Sequence, residues 1–315
     1  MEYKDFIPQN VAPVGARRIG VYNIKGNRVG QIPLGNLTPP NPAKKLYSFG
    51  ALSDVHIVYN TAADDFKRAL TYLNDNEDVA FTCICGDLTD DGSAVELAQY
   101  KAIVDSHSPD TPVYAIGGNH ERYRDLSSGY LSDYTGQPFY YSFEYGGDVF
   151  IMCGLYAINE IFTAAELQWL ENTLAANQNK RCFVFEHVMP WDDSGNAMGK
   201  YPHGDHFAGA MGTAFQNLLR QYPNTVFFHG HSHLKFYLQK YDDKANYNDS
   251  LGYKSVHIPS LAVPRDVVGD DVHVIYADSE GYVVDVYENG IHLRGMDFVK
   301  EEFLPIASYW IDTTA

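Results

Sequence analysis

Five short polar clusters, each following an apolar run, hold the residue types that can bind metal ions and move protons. The clusters are Asp54-Val55-His56, Gly86-Asp87, Gly118-Asn119-His120-Glu121, Glu186-His187 and Gly230-His231-Ser232-His233. Their imidazole, carboxylate and amide groups are numerous enough to form the ligand shells of two divalent cations. Two such cations acidify bound water and clamp a phosphoryl group. The clusters therefore predict a two-metal site that acts on a phosphoryl group.

The elements that must position these clusters alternate between strand and helix. Apolar and β-branched runs predict strands at 46–52, 79–85, 111–116, 181–186 and 225–229, and a hairpin over 139–155 around Gly146-Gly147-Asp148. Apolar spacing predicts helices at 62–73, 93–104, 163–174 and 210–220. The third of these helices opens on a capping box formed by Thr163 and Glu166.

After residue 235 only strands are expected, over Lys235–Lys240, Tyr253–Ile258, Val272–Ala277, Tyr282–Tyr287 and Ile291–Phe298, with a polar loop at Tyr241–Leu251. Alternating strands and helices followed by antiparallel strands predict an α/β fold of two stacked sheets flanked by helices. Residues 1–45 are interpreted as an accessory hairpin and linker, and residues 46–315 as the main domain, with 236–315 as its β-rich C-terminal part.

Each cluster begins directly after a predicted strand, and this placement favours a common site. Open α/β sheets bind ligands at the carboxyl ends of their strands. Five loops from five strands can therefore converge on one point.

Composition narrows the class of protein. The 315 residues carry 23 basic and 40 acidic side chains, a net charge of −17 that repels polyphosphate and argues against general nucleic-acid binding. A small anionic substrate remains possible because metal ions dominate the local field of their site. The chain shows neither a signal-peptide pattern nor a run of ~18 apolar residues, so a cytoplasmic protein without membrane association is expected, with its oligomeric state open.

The four cysteines lie in apolar runs and are interpreted as buried strand residues. Cys83 and Cys85 share one strand face, so a ligand or redox pair is the alternative to a core role. No disulfide framework is predicted.

The ordered clusters resemble the calcineurin-like metallophosphoesterase family over residues 46–235, and their internal order looks most like its bacterial phosphodiesterase branch. The resemblance implies a four-layer αββα sandwich of two mixed β-sheets with a C-terminal antiparallel portion. It also implies two divalent ions (Mn, Fe or Zn) and an in-line attack by a metal-bridging hydroxide on a cyclic-nucleotide- or glycerophosphodiester-like substrate.

The resemblance also assigns roles residue by residue. The first metal would take Asp54, His56 and His233, and the second would take Asn119, His187 and His231, with Asp87 bridging both. His120 would be the general acid that protonates the leaving oxygen. Glu121 would accept a hydrogen bond from the His120 ring and fix its tautomer. Asp90 is expected to cap or orient its loop rather than bind metal.

Substrate-binding residues are less specified. Arg265 could pair with a phosphate or lie on the surface, and Tyr123 could stack on a base or simply pack. The loop at 191–207, with His203 and His206, could line the pocket or be solvated. A phosphomonoesterase on the same site and a non-catalytic metal-bound interaction module are the competing functions.

Overall fold

The computed structural model describes residues 18–22, 28–33, 42–123, 128–154, 162–190, 209–237, 244–268 and 271–313. The helices are α1 (Ala62–Asp75), α2 (Ala94–His107), α3 (Ser128–Thr135), α4 (Ala164–Ala176) and α5 (Gly209–Gln221). The strands of the first part of the chain are β1 (Arg18–Tyr22), β2 (Arg28–Pro33), β3 (Lys45–Leu52), β4 (Thr82–Cys85), β5 (Val113–Ile116), β6 (Tyr141–Tyr145), β7 (Asp148–Met152), β8 (Cys182–Phe185) and β9 (Thr225–His229). Those of the second part are β10 (Tyr247–Asn248), β11 (Lys254–His257), β12 (Arg265–Val268), β13 (Asp271–Val274), β14 (Glu280–Tyr287), β15 (Gly290–Asp297) and β16 (Glu302–Asp312).

Two six-stranded mixed sheets form the body of the fold. Sheet A has the order β16-β15-β14-β3-β4-β5, in which β3, β4 and β5 are parallel and β14 pairs antiparallel with β3. Sheet B has the order β10-β11-β9-β8-β7-β6, in which β7, β8, β9 and β11 are parallel. Two small antiparallel pairs, β1-β2 and β12-β13, stand outside these sheets.

Three apolar clusters show how the layers pack. The largest lies between the two sheets, where Phe49 and Phe81 on the side of sheet A pack against Phe150 and Phe183 of sheet B. A second cluster packs the outer face of sheet A against α1, α2 and α3, and a third packs the outer face of sheet B against α4 and α5. The order helix, sheet, sheet, helix confirms the predicted four-layer α/β sandwich.

Local sequence signals explain the helices. The predicted stripe of α1, including Phe66, Leu70 and Leu73, is buried. The Ser93 and Thr163 hydroxyls each accept a hydrogen bond from a backbone N–H of the first turn, as N-caps do. Glu166 departs from a full capping box because its carboxylate accepts the N–H of Gly154 instead.

The structure also differs from the sequence-based expectations. Strand β10 lies inside the segment predicted as a loop, and α3, β12 and β16 were not predicted. The strand expected over 235–240 was wrong at 236–237, which form a helical turn, and residues 238–240 lie outside the described residues. Within the described part of the chain, no helix combines the length and apolarity needed to span a membrane.

All four cysteines are buried free thiols. Cys83 and Cys85 face the core between the sheets, which agrees with their interpretation as core residues. Burial raises the pKa of both thiols well above its usual range.

Candidate metal centre

The predicted ligands lie in loops at the carboxyl ends of parallel strands from both sheets. Loops after β3, β4 and β5 of sheet A carry Asp54, His56, Asp87 and Asn119, and loops after β8 and β9 of sheet B carry His187, His231 and His233. All seven side chains are buried. The structure therefore brings residues from distant parts of the chain to one point at the edge of the inter-sheet core.

The atoms of the predicted ligands form two groups with Asp87 in common, and a third group joins His56 to Asp90 and His120. Asp54, His56, Asp87 and His233 offer atoms within 4.8 Å of one another, and so do Asp87, His187 and His231. The Oδ1 atom of Asn119 lies 3.1 Å from the Nε2 atom of His187 and so belongs to the second group. The shared position of Asp87 is the arrangement that a bridging carboxylate requires.

Each carboxylate is held by one oxygen and directs the other into the site. Oδ2 of Asp54 accepts the backbone N–H of His231 at 3.1 Å, and Oδ1 of Asp87 accepts that of His120 at 3.0 Å. The remaining oxygens are buried and lie next to imidazoles, Asp54 Oδ1 at 3.0 Å from His233 Nε2 and Asp87 Oδ2 at 3.1 Å from His187 Nε2.

The tautomer of His187 indicates that a cation belongs among these atoms. Its Nδ1 atom lies 2.7 Å from the carbonyl oxygen of Cys85. A carbonyl only accepts, so Nδ1 carries a proton, and once the ring has lost its second proton the Nε2 atom presents a lone pair. That lone pair confronts oxygen atoms of Asp87 and Asn119, both at 3.1 Å. Three acceptors at this distance need a proton or a metal ion between them.

The charges of the site support the same conclusion. Among the described residues, no lysine or arginine forms an ion pair with Asp54 or Asp87, although both carboxylates are buried. Burial raises the pKa of Asp54, but the charges of His233 and His187 outweigh it and hold that pKa well below its usual range. Two buried anions with a mixed carboxylate, imidazole and amide donor set fit divalent cations.

Metal uptake should release a proton from His187. Burial lowers its pKa, but the carboxylates of Asp87 and Asp54 outweigh that effect and raise it to about 10. The ring is thus protonated at neutral pH and must lose that proton before Nε2 can bind metal, so affinity should rise as pH increases toward the pKa. Calorimetric titration of Mn²⁺ or Zn²⁺ into metal-free protein near pH 7, in buffers of different ionisation enthalpy, should show release of about one proton per chain.

The His187→Gln variant provides the control because it removes the titrating ring. It should release fewer protons than the native chain under the same conditions. An unchanged proton count in that variant, or none in the native protein, would contradict this account of His187.

Backbone conformation marks the same residues. Five of the predicted ligands have left-handed backbone angles: Asp54 (φ 53°), His56 (φ 40°), Asp87 (φ 51°), His231 (φ 67°) and His233 (φ 60°). Non-glycine residues rarely adopt this region, and such strain concentrates at functional sites. The loops therefore hold the ligands in conformations that the surrounding structure must enforce.

The absence of a side chain at Gly118 leaves room for Asp87. A Cβ atom on Gly118 would lie 2.2 Å from Oδ1 of Asp87 and 2.5 Å from its backbone nitrogen. The Gly118→Ala substitution should therefore displace Asp87 and weaken metal binding about 10- to 100-fold, with a loss of ~1–3 kcal/mol in the free energy of unfolding. Metal titration and thermal melting measure the two effects.

The neighbouring Gly117→Ala variant is the matched control. A Cβ atom there meets a methyl group of Leu131 at 3.0 Å, and Asp87 is not among its contacts. It should retain most of the metal affinity, and equal losses in both variants would contradict the role assigned to Gly118.

The surroundings of His120 correct one prediction. The ring is partly exposed, with Nε2 at 3.9 Å from Oδ2 of Asp87, and its Nδ1 atom lies 2.5 Å from the backbone carbonyl of Asp90. The expected contact with Glu121 is wrong, because the Glu121 carboxylate accepts hydrogen bonds from Thr89 and from the N–H of Gly118. A backbone carbonyl thus orients the His120 ring, and Glu121 ties the loop after β4 to the loop after β5.

The sequence left the contacts of several other residues near the site open. The Tyr123 hydroxyl accepts a hydrogen bond from the Asn119 amide at 3.3 Å, which turns the Asn119 oxygen toward His187. Arg265 is half-buried beside His233, whose carbonyl accepts its backbone N–H at 2.7 Å. His257, which belonged to no motif, hydrogen-bonds with the hydroxyl of Ser232 at 2.7 Å. The loop at 191–207, including His203 and His206, lies outside the described residues.

Comparison with known proteins places this geometry in context. The family model described as calcineurin-like phosphoesterase matches residues 47–235. The chain has no match among curated protein sequences. A dimetal phosphatase from Danio rerio has a similar structure, with a TM-score of 0.61, 17% identity, and coverage of 86% of this chain and 100% of that one. GAP50, the anchor in the inner membrane complex of Plasmodium, aligns with a TM-score of 0.60, 12% identity, and coverage of 86% and 90%.

Proposed function

Because this chain belongs to the calcineurin-like phosphoesterase family, we propose that it is a dinuclear-metal-dependent hydrolase of phosphodiesters. The observation that carries the proposal is the position of Asp87, whose carboxylate belongs to both ligand groups. The same carboxylate accepts the backbone N–H of His120, whose ring lies next to the two groups. A two-metal pocket with an adjacent proton donor suits in-line displacement at phosphorus.

The ligand groups define which residues would hold each ion. The first ion would be held by Asp54, His56 and His233. The second ion would be held by Asn119, His187 and His231, and Asp87 would bind both ions. When bound, the two ions supply an acidified water and positive charge for the phosphoryl oxygens. The Asp54 and Asp87 carboxylates are kept in place by the N–H donors of His231 and His120.

The remaining steps belong to side chains around the ligands. His120 is held by the Asp90 carbonyl so that its Nε2 atom can give a proton to the leaving oxygen. Arg265, fixed next to His233 by backbone hydrogen bonds, can donate to a phosphoryl oxygen at the rim. The preference for diesters rests on the order of residues within the motifs and on a general acid suited to an alkoxide leaving group.

Two other functions have specific support. The Danio rerio protein with a similar fold is a dimetal phosphatase, which favours a phosphomonoesterase as the second candidate. GAP50 is an anchor, which favours a non-catalytic module as the third. His120 argues against the last, because a scaffold has no use for a proton donor beside two ligand groups.

A substrate panel on metal-reconstituted protein separates the three. Turnover of bis-p-nitrophenyl phosphate well above that of p-nitrophenyl phosphate is expected, with metal analysis giving about two ions per chain. The reverse preference would assign a phosphatase. Inactivity of the metal-loaded protein on every ester would leave only the binding role.

A further inference from the structure

Four aromatic rings form a continuous row that passes through the candidate site. Tyr59 meets His56 edge-on with ring centroids 5.6 Å apart, His56 meets His120 at 4.5 Å, and His120 meets Tyr123 at 4.6 Å. The two histidines are a predicted ligand and the proposed general acid. A tyrosine therefore stands at each end of the row.

Tyr123 is the end of the row next to the proposed proton donor. It is 52% exposed, although it follows a helical turn whose preceding residues are largely buried. Its hydroxyl is occupied by the Asn119 amide and its ring is tilted by 50° to that of His120. The hydrogen bond and the ring contact together fix the aromatic plane while leaving much of it open to solvent.

The position of His120 determines what an open ring there can touch. A general acid must lie within hydrogen-bond reach of the leaving oxygen. Tyr123 presents an exposed aromatic ring in direct contact with the ring of His120. A planar group attached one or two bonds beyond the leaving oxygen would therefore lie within reach of the Tyr123 ring.

We infer that Tyr123 is a specificity-determining residue that stacks on an aromatic ring carried by the leaving alcohol. The substrate class is a phosphodiester whose alcohol bears a planar ring one or two bonds from the ester oxygen, as in a benzylic alcohol. The inference rests on the proposed phosphodiesterase function. Aromatic pairs of this kind favour binding beyond simple burial, which corresponds to a selectivity of about three- to tenfold.

Two symmetric diesters test the stacking without changing the chemistry of the leaving group. Dibenzyl phosphate and bis(cyclohexylmethyl) phosphate release primary alcohols of similar size, of which only the first is aromatic. The native enzyme should hydrolyse the benzyl ester with a kcat/KM about three- to tenfold higher. The difference should lie mainly in KM, since a stacking contact is made in both the ground and transition states.

Variants at Tyr123 separate the ring from its hydroxyl. Tyr123→Leu should reduce the ratio of the two kcat/KM values to about one, because it removes the stacking face. Tyr123→Phe loses the hydrogen bond from Asn119 and should slow both substrates while keeping the ratio. Tyr123→Trp should raise the ratio, which provides a result even where the leucine variant folds poorly.

Tyr59→Leu is the control at the other end of the row. It removes an exposed ring beside a predicted ligand but not beside the proton donor, so the ratio should stay at the native value. A native ratio of one, a native-like ratio in Tyr123→Leu, or a ratio that collapses in Tyr59→Leu overturns the inference and leaves the phosphodiesterase function standing. Failure of the metal-loaded native protein on both diesters overturns the proposed function itself.

Discussion

Replacing Asp87 with asparagine should lower phosphodiester hydrolysis by about 10³-fold or more, because a loss of several kcal/mol of charge stabilisation has this effect on rate. Asparagine keeps the shape of the side chain and can still accept the His120 N–H through its amide oxygen. It removes the negative charge from the one side chain that belongs to both ligand groups. Metal content should therefore fall below the native value at the same time as activity.

The measurement combines metal analysis with kinetics on bis-p-nitrophenyl phosphate. Asp105→Asn is the matched control, since Asp105 is an exposed carboxylate on α2 that pairs with Lys101. It makes the same change in net charge and should leave both quantities at the native level. Full metal content and activity in Asp87→Asn would remove Asp87 as the shared ligand.

Loss of the His120 ring should depend strongly on the leaving group. His120→Ala should slow hydrolysis of dialkyl phosphodiesters by about 10²–10⁴-fold, because an alkoxide departs poorly without a proton. Bis-p-nitrophenyl phosphate should lose much less, since p-nitrophenolate is stable without protonation. Metal content should stay near the native value, because His120 is not among the predicted ligands.

The comparison needs both substrates on the same preparation. His107→Ala is the control, as His107 ends α2 and its ring contacts the adjacent Ser106 hydroxyl. It should leave both rates unchanged. Equal losses on the two substrates in His120→Ala would exclude that residue as the general acid.

The position of the site was predictable because the chain places polar clusters at the ends of apolar strands. Asp54 follows β3, Asp87 follows β4, and His187 follows β8, so each is brought to the same end of its sheet by parallel pairing. This argument needs only strand direction and does not depend on the details of loops. It explains why residues as far apart as Asp54 and His233 meet.

The partners of individual side chains were less accessible to sequence reasoning. The family resemblance implied a contact between His120 and Glu121, but in a short helical turn successive side chains point in different directions. Glu121 is buried toward Thr89, and His120 is oriented by the carbonyl of Asp90. Because every residue has a backbone carbonyl, the sequence alone does not indicate which carbonyl orients the His120 ring.

Two of the missed elements, α3 and β12, leave no clear pattern in the sequence. Helix α3 is short and its sequence, SGYLSDYT, lacks a clear apolar stripe. Strand β12 begins at Arg265, whose backbone pairs with His233 and Lys235 rather than with a neighbouring strand of a large sheet. Interactions that depend on a distant loop leave no periodic pattern in the chain.

The pairing of β14 with β3 has a consequence for how the protein is made on the ribosome. Every predicted ligand precedes residue 234, whereas the strand that covers the free edge of β3 begins at Glu280. A nascent chain can thus hold all its metal-binding side chains while one border of their supporting sheet is still bare. An uncovered strand border invites pairing with other chains. Metal ions that bind only after β14 has paired with β3 would stabilise the completed fold and not the unfinished nascent chain.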